Sequence, residues 1–570
     1  MKSTSLHSIS YQWTVLAVTI VTLLLATIDT HAFVYPALSR SLLPELLILI
    51  LSVIALGNSI VKRHQYVCTW FDCFILVWIA YIVFHFTLCT PHEEYRTLYL
   101  SVTLFGIPTF SYFIQHGIVT GQQCGNMLLV IAVIHLIYIM GQGIGILDSG
   151  NGYFRLTGSN ENPTVTALYL VGCVPVIVAR ISMEKRLVLY SMFLVGCIIA
   201  IIILRCRTAY IGLAVESVVG LASFIRKRPI HIHTIAKALC VFFVALFSII
   251  AGIRLYNMKR DSADGRLLIW KLSAEMIAER PQGYGYGLFE KEYNLRQSEY
   301  FRNNKGATVT ERRNGGFVAM AYNDYLEHGV QGGVVGMFFL AAFYILILRQ
   351  SVKQGKITEA SIIAAFAVMS TTNFVSTAIQ PWLLIIFSCA NVSATKDRTC
   401  NKCSLYTAFW VLPVVLAGIH EISSVTLAQE RLKERGAVVG ISAPIGTSEA
   451  YWTRRAERQM QSKEYSEALR SIHAARLYTS SISLFTMEYQ CRSAMGQETR
   501  GIAFIDTLSY MNPSRLSSKY MLMRYYDKKG LSLYALTYAY DILQTETKLP
   551  NAKSAFIINE ARKYAERYEK

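Results

Sequence analysis

Long apolar runs recur from Tyr11 to about Glu421, each close to the ~20 residues that a bilayer-crossing helix needs. They predict spans at 12–29, 41–58, 69–88, 97–114, 126–142, 163–180, 187–204, 208–224, 235–253, 329–348, 358–374, 378–393 and 404–421. The first run follows Lys2 and looks like a signal-peptide core, but no A-x-A site follows it and other spans do. It therefore reads as an uncleaved first helix. Beyond these runs, apolar residues return at helical spacing among charged ones, the pattern of a soluble domain. The expected fold is all-α: a polytopic membrane part of about 12–13 spans over residues 1–424, then a helical domain over 425–570.

In the second part, Ser462, Gly496 and Gly530 begin similar segments 34 residues apart, with Pro513 where such a unit ends. That period resembles the tetratricopeptide repeat, whose stacked helix pairs share a core and present a concave face. A protein partner and a purely structural helical cap are both compatible with it.

Composition agrees with a membrane protein. Hydrophobic residues make up 53% and charged residues only 16%, against roughly 25% charged in soluble chains. The net charge of +18 is explained largely by orientation rather than by nucleic acid. Placing the N-terminus in the cytoplasm puts Lys62, Arg63, Arg180, Lys185, Arg186, Arg226, Lys227, Arg228, Arg349, Lys353, Lys356, Lys396, Arg398 and Lys402 on the inner side. A long loop of about 254–318 then lies outside, and an odd number of spans puts the C-terminal domain there too. Most of the twelve cysteines sit in apolar runs as small hydrophobes. Cys400 and Cys403 form a lone C-x-x-C, too few ligands for zinc.

The basic residues left outside carry the candidate chemistry. Arg155, Arg205, Arg207, Arg254 and Arg266 fall at span ends on that face. One such arginine can snorkel, or pair with Asp261, Asp264 or Glu161. Several meeting on one face suit a pyrophosphate, whose oxygens match the guanidinium fork. The same loop holds Pro281-Gln-Gly-Tyr-Gly-Tyr-Gly287-Leu-Phe289. Gly283, Gly285 and Gly287 permit a tight fold over a ligand, although such glycines are also ordinary turn formers. Asn323 and Asp324 precede an apolar helix, either as caps or as site residues.

Five segments in order resemble the O-antigen ligase and polymerase family: Arg155-Leu-Thr-Gly-Ser-Asn-Glu-Asn162-Pro163, Cys206-Arg207-Thr-Ala-Tyr, Arg266-Leu-Leu-Ile-Trp270, the glycine run, and Asn323-Asp-Tyr-Leu-Glu-His328-Gly. The resemblance implies a GT-C-type helical fold in the bacterial inner membrane. It implies en bloc transfer of a glycan from undecaprenyl pyrophosphate to an acceptor hydroxyl on the periplasmic face, with no cofactor and no metal. The acceptor would be lipid A-core or a protein Ser/Thr, and no nucleic acid is involved. Arg207 and Arg266 would hold the pyrophosphate, Arg155 and Arg205 would support them, and Trp270 with the glycines would form the substrate loop. The family's usual histidine before the Asn is Tyr322 here. A phenol titrates near ~10 and is a poor base at neutral pH. Tyr322 can still orient an acceptor beside Asn323 and Asp324, and His328 or Glu327 one turn on are substitute bases. Alternatives are a polymerase joining lipid-linked repeat units, a transporter of lipid-linked sugars, and an inactive scaffold.

Overall fold

The computed structural model describes residues 2–28, 36–62, 69–89, 94–149, 151–183, 186–227, 260–304, 306–394, 448–547 and 551–568. The expected spans 235–253 and 404–421, Arg254, and the Cys400–Cys403 pair lie outside the described residues. All regular structure among the described residues is helical.

The membrane part comprises α1 (Lys2–Thr27), α2 (Pro36–Lys62), α3 (Trp70–Leu88), α4 (Glu94–Gln115), α5 (Gly121–Ile144), α6 (Pro163–Met183), α7 (Leu187–Ile203) and α8 (Arg207–Lys227). After a loop subdomain it resumes with α12 (Asp324–Lys353), α13 (Ile357–Met369) and α14 (Ile379–Ser393). Six of these are long and apolar enough to cross a membrane, and α7, α13 and α14 are shorter apolar helices. The helices are hydrophobic all round. Trp78, Phe105, Phe343, Phe366 and Trp382 fill the interior, while Trp13, Val188 and Phe338 face outward, as lipid contact demands.

Two spans differ from the sequence pattern. The apolar run of 358–374 stops being helical at Met369. There the polar side chains of Ser370-Thr-Thr-Asn373 take over: Thr371 Oγ1 donates back to Val368 O, Asn373 Oδ1 accepts from Phe374 N, and the N–H groups of Val375 and Ser376 go to Asp324. The helix expected to start at 329 begins at Asp324, capped by Asn323, and is broken at Gly333, which has φ 69° and ψ −172°.

Between α8 and α12 the chain folds into a subdomain with its own core. Its helices are α9 (Arg260–Glu279), α10 (Phe289–Asn303) and α11 (Val309–Asn314), packed around Leu272, Met276, Phe289, Tyr293 and Phe301. Arg296 on α10 pairs with Glu275 and Glu279 on α9, and Lys271 and Tyr300 both reach Glu311 on α11.

The C-terminal part is three helical hairpins and a last helix. The hairpins are α15 (Ser448–Gln461) with α16 (Tyr465–Ala475), α17 (Ile482–Ala494) with α18 (Glu498–Met511), and α19 (Leu516–Lys528) with α20 (Ser532–Gln544); α21 (Ala552–Tyr568) follows. The second and third turns put Gly496 and Gly530 at positive φ. In the first turn Lys463, not Ser462, takes that position, so the register is one residue later than the 34-residue spacing suggests.

This domain docks on the loop subdomain. Gln297 Nε2 donates to both Gly316 O (2.8 Å) and Met511 O (2.7 Å), Ser298 donates to Thr507 O, and Arg302 pairs with Asp506 at 3.0 Å. Glu290 accepts from Thr479 Oγ1 and from the amide and hydroxyl of Ser480.

Candidate active site

The site lies where the ends of α3, α7 and α13 meet the starts of α6, α8 and α12. Cys206, just before α8, meets Thr164 at the start of α6. Asn373, just after α13, donates to Thr208 on α8. Helix starts carry partial positive charge and unpaired N–H groups, and the helix ends beside them carry the opposite partial charge, so the sign of the site is set by its side chains.

On α9, Arg266 and Trp270 are one turn apart and grip the same short segment. Trp270 Nε1 donates to Ala321 O at 3.1 Å, and the Arg266 guanidinium lies 5.0 Å over the ring of Tyr322. Arg266 also donates to Thr372 O at 2.7 Å. Arg207, the first residue of α8, is close enough for its charge to act on Arg266. Burial, and then the Arg207 charge, hold the Arg266 guanidinium below the usual arginine value. No carboxylate among the described residues pairs with Arg266. Two guanidiniums thus come near one another, a pair of donors whose geometry suits an anion.

Tyr322 sits between these parts. It is half-buried, has φ 51°, and its hydroxyl makes no hydrogen bond among the described residues. A bulky residue in the left-handed region is strained and must be held there. The holding is visible on its N-terminal side, where Glu327 Oε2 accepts from Ala321 N while Trp270 takes Ala321 O. Phe374 meets the Tyr322 ring edge-on at 6.0 Å.

The other expected site residues divide. Asn323 caps α12 by accepting from Leu326 N. Asp324 is fully buried and accepts from Val375 N, Ser376 N and Ser376 Oγ, so it moulds the 370–376 loop against the site. His328 packs its ring against Trp78 and Tyr286, towards α3, whereas Tyr322 faces Arg266. Arg155 is exposed and donates to Gly143 O, and Arg205 is exposed with φ 51°. Neither touches Arg266 or Tyr322 among the described residues.

The glycine run serves packing rather than the open cover expected of it. Gly283, Gly285 and Gly287 have φ of 86°, 119° and 86°. Tyr284 N donates to Val330 O, Gly285 N to Gln331 O, and Val334 N to Pro281 O, which stitches the run to the break at Gly333. A Cβ at Gly283 would lie 2.4 Å from Gly333 N, so neither position can hold a side chain. Gly287 N donates to Gln331 Oε1, and Gln331 donates to Glu327.

Thr208, Thr372, Asn373 and Gln331 were not singled out from the sequence, yet they shape the site, and Glu327, expected as a substitute base, holds the Ala321 N–H. For Thr372 and Asn373 the signal was the polar run Ser370–Thr377 inside an otherwise apolar stretch. In the Asn160–Pro163 segment, Asn160 is the buried fastener: it donates to Gln380 Oε1, which sits on α14, and Gln380 donates to Ala26 O.

Residues 192–341 match the family model described as O-antigen ligase. This segment is similar to the O-antigen ligase family. The match runs from α7 to the middle of α12 and includes Arg207, Arg266, Trp270, the glycine run and Tyr322. At family level the match supports glycosyl transfer of the O-antigen ligase type, and the apolar helices are those of a multi-pass membrane protein. No curated protein matches the chain.

Proposed function

We propose that this protein transfers a glycan en bloc from undecaprenyl pyrophosphate to an acceptor hydroxyl at the periplasmic face of a bacterial inner membrane. The observation that carries the reading is the approach of Arg207 and Arg266 beside the unbonded hydroxyl of Tyr322. The two guanidiniums hold the pyrophosphate and take up the charge that collects on it as it leaves. The acceptor oxygen attacks the anomeric carbon as the bond from that carbon to phosphate breaks, and the acceptor proton departs to water. Tyr322 orients the acceptor hydroxyl, and Asp324 and Glu327 hold the backbone around it. The acceptor is lipid A-core or a protein Ser/Thr. A tetratricopeptide-like reading of the C-terminal hairpins, docked on the subdomain that carries Arg266, favours a protein.

The test is transfer by purified protein in detergent. Lipid-pyrophosphate-linked glycan is supplied with lipid A-core or with a Ser/Thr peptide, and wild type is compared with Tyr322→Phe and Tyr322→His. Product with one acceptor names the activity, and a loss in Tyr322→Phe assigns the phenol its role. No product from any of the three would overturn the reading.

A further inference from the structure

The two arginines of the site come from different elements, so neither helix alone sets their spacing. Arg207 opens α8, whereas Arg266 lies on α9 and is latched to Thr372 O at 2.7 Å. Thr372 belongs to the 370–376 loop. On one side, Asp324 of α12 holds that loop by accepting from Val375 N, Ser376 N and Ser376 Oγ. On the other side, the loop is tied to α8 at the residue next to Arg207. Thr208 Oγ1 accepts from Asn373 Nδ2 at 3.3 Å and shares a hydrogen bond with Thr372 Oγ1 at 3.4 Å. Asn373 Oδ1 accepts from Phe374 N at 3.0 Å, which fixes the orientation of the amide. Thr208 and Asn373 are 3% and 2% exposed, so both act through their neighbours rather than on a ligand.

The residue beside Arg207 is thus bonded to the residue that latches Arg266, through side chains that are themselves pinned. A monophosphate is satisfied by one guanidinium fork, whereas a pyrophosphate offers two phosphoryl groups at a fixed separation. Two forks held relative to one another lose little freedom when both are engaged, and two that drift must first be ordered, which weakens binding. We infer that the Thr208–Asn373–Thr372 bridge is what makes the site select a pyrophosphate-linked lipid over a monophosphate-linked one, by fixing Arg207 relative to Arg266. The inference rests on the pyrophosphate reading above and adds to it Thr208 and Asn373 as positioning residues.

The test measures binding of undecaprenyl pyrophosphate and undecaprenyl phosphate to the delipidated full chain in detergent, by native mass spectrometry. Wild type should prefer the pyrophosphate by about 10- to 100-fold, the size of one further charge-assisted contact. Thr208→Val keeps the shape and removes the hydroxyl. It should narrow that ratio about fivefold, the cost of ordering one long side chain, by weakening pyrophosphate binding alone. Thr208→Ser keeps the hydroxyl and should keep the ratio. Unchanged binding of the monophosphate reports that a variant is folded. If Thr208→Val fails that check because Asn373 is left unpaired, the double variant Thr208→Val/Asn373→Ser, which removes both ends of the bond, takes its place with the same expected ratio. Equal binding of the two lipids by wild type would overturn the pyrophosphate reading itself. A clear wild-type preference that survives loss of the bridge would overturn this inference alone, as would an equal loss in Thr208→Ser or a parallel weakening of both lipids.

Discussion

Replacing Arg266 separates catalysis from stability, and the structure says how far. In Arg266→Ala the folded protein loses a hydrogen bond to Thr372 O and a stack on Tyr322. Such terms are worth about 1–3 kcal/mol and 0.5–1 kcal/mol respectively. Against this, the variant no longer buries a guanidinium beside the Arg207 charge. The opposing terms are of similar size, so the net change should stay within about 2 kcal/mol. Activity should respond differently. A donor aimed at charge developing on the leaving group is worth about 10²–10³ in turnover. Arg266→Ala should therefore lose about that much in transfer rate while unfolding within a few degrees of wild type. Arg266→Lys should fall in between, because an ammonium keeps the charge but cannot serve Thr372 and two phosphate oxygens with one planar fork. The assays are transfer of labelled lipid-linked glycan and thermal unfolding in the same detergent. Full activity in Arg266→Ala would refute the pyrophosphate role. A large loss of stability with activity falling in proportion would reassign Arg266 to structure.

Three further outcomes follow from other contacts. Gly283→Ala places a Cβ against the backbone of Gly333 and Gln331 and strains a φ of 86°; it should cost about 3 kcal/mol or more, and an unchanged melting temperature would show that the run is not stitched to the helix break. Gln297→Ala leaves Gly316 O and Met511 O without their shared donor; at about 2–4 kcal/mol, hydrogen exchange should quicken in both 315–318 and 507–511, and a change in only one of them would contradict a shared fastener. Burial pushes the Glu290 carboxyl up, against the opposing pull of its Thr479 and Ser480 hydrogen bonds. Its folded form thus holds a proton more readily than its unfolded one, so docking is firmest below the ordinary carboxylate range of about 4.3 and weakens as pH rises through the folded value. Protease cleavage at the 479–481 turn should increase over that window in wild type and lose this dependence in Glu290→Gln.

The helices of the bundle were legible because apolar length and local caps lie within a few residues of one another. Thr69 and Asp72 form the capping box that starts α3 where the run begins. The Arg266–Trp270 pair was legible as a motif, and its spacing of four is explained by one helix face gripping Ala321 and Tyr322. What could not be read was pairing at a distance. Gly283 and Gly333 fit backbone to backbone, so their meeting leaves no trace in side-chain pattern. The polar run at 370–376 looked like the tail of a span because its hydrogen-bond partner, Asp324, comes from another helix. The compact core of the loop subdomain was equally hidden, since its apolar residues are interleaved with the charges that tie α9 to α10.

Those distant pairings form a continuous mechanical path. The C-terminal hairpins hold Gln297 and Ser298 of α10. On the same helix, Asn294 takes both Val318 N and Val318 O, which fixes the strand of chain leading to Ala321. Glu327 and Trp270 then hold the peptide before Tyr322, and Arg266 lies on its ring. Every link is a hydrogen bond or a ring contact between named groups, so displacing the hairpins must be felt at Tyr322 unless some link has slack. A histidine base would need only a correct rotamer. A tyrosine that works by orienting an acceptor depends instead on its backbone being held in a strained conformation, and the docked domain supplies that restraint.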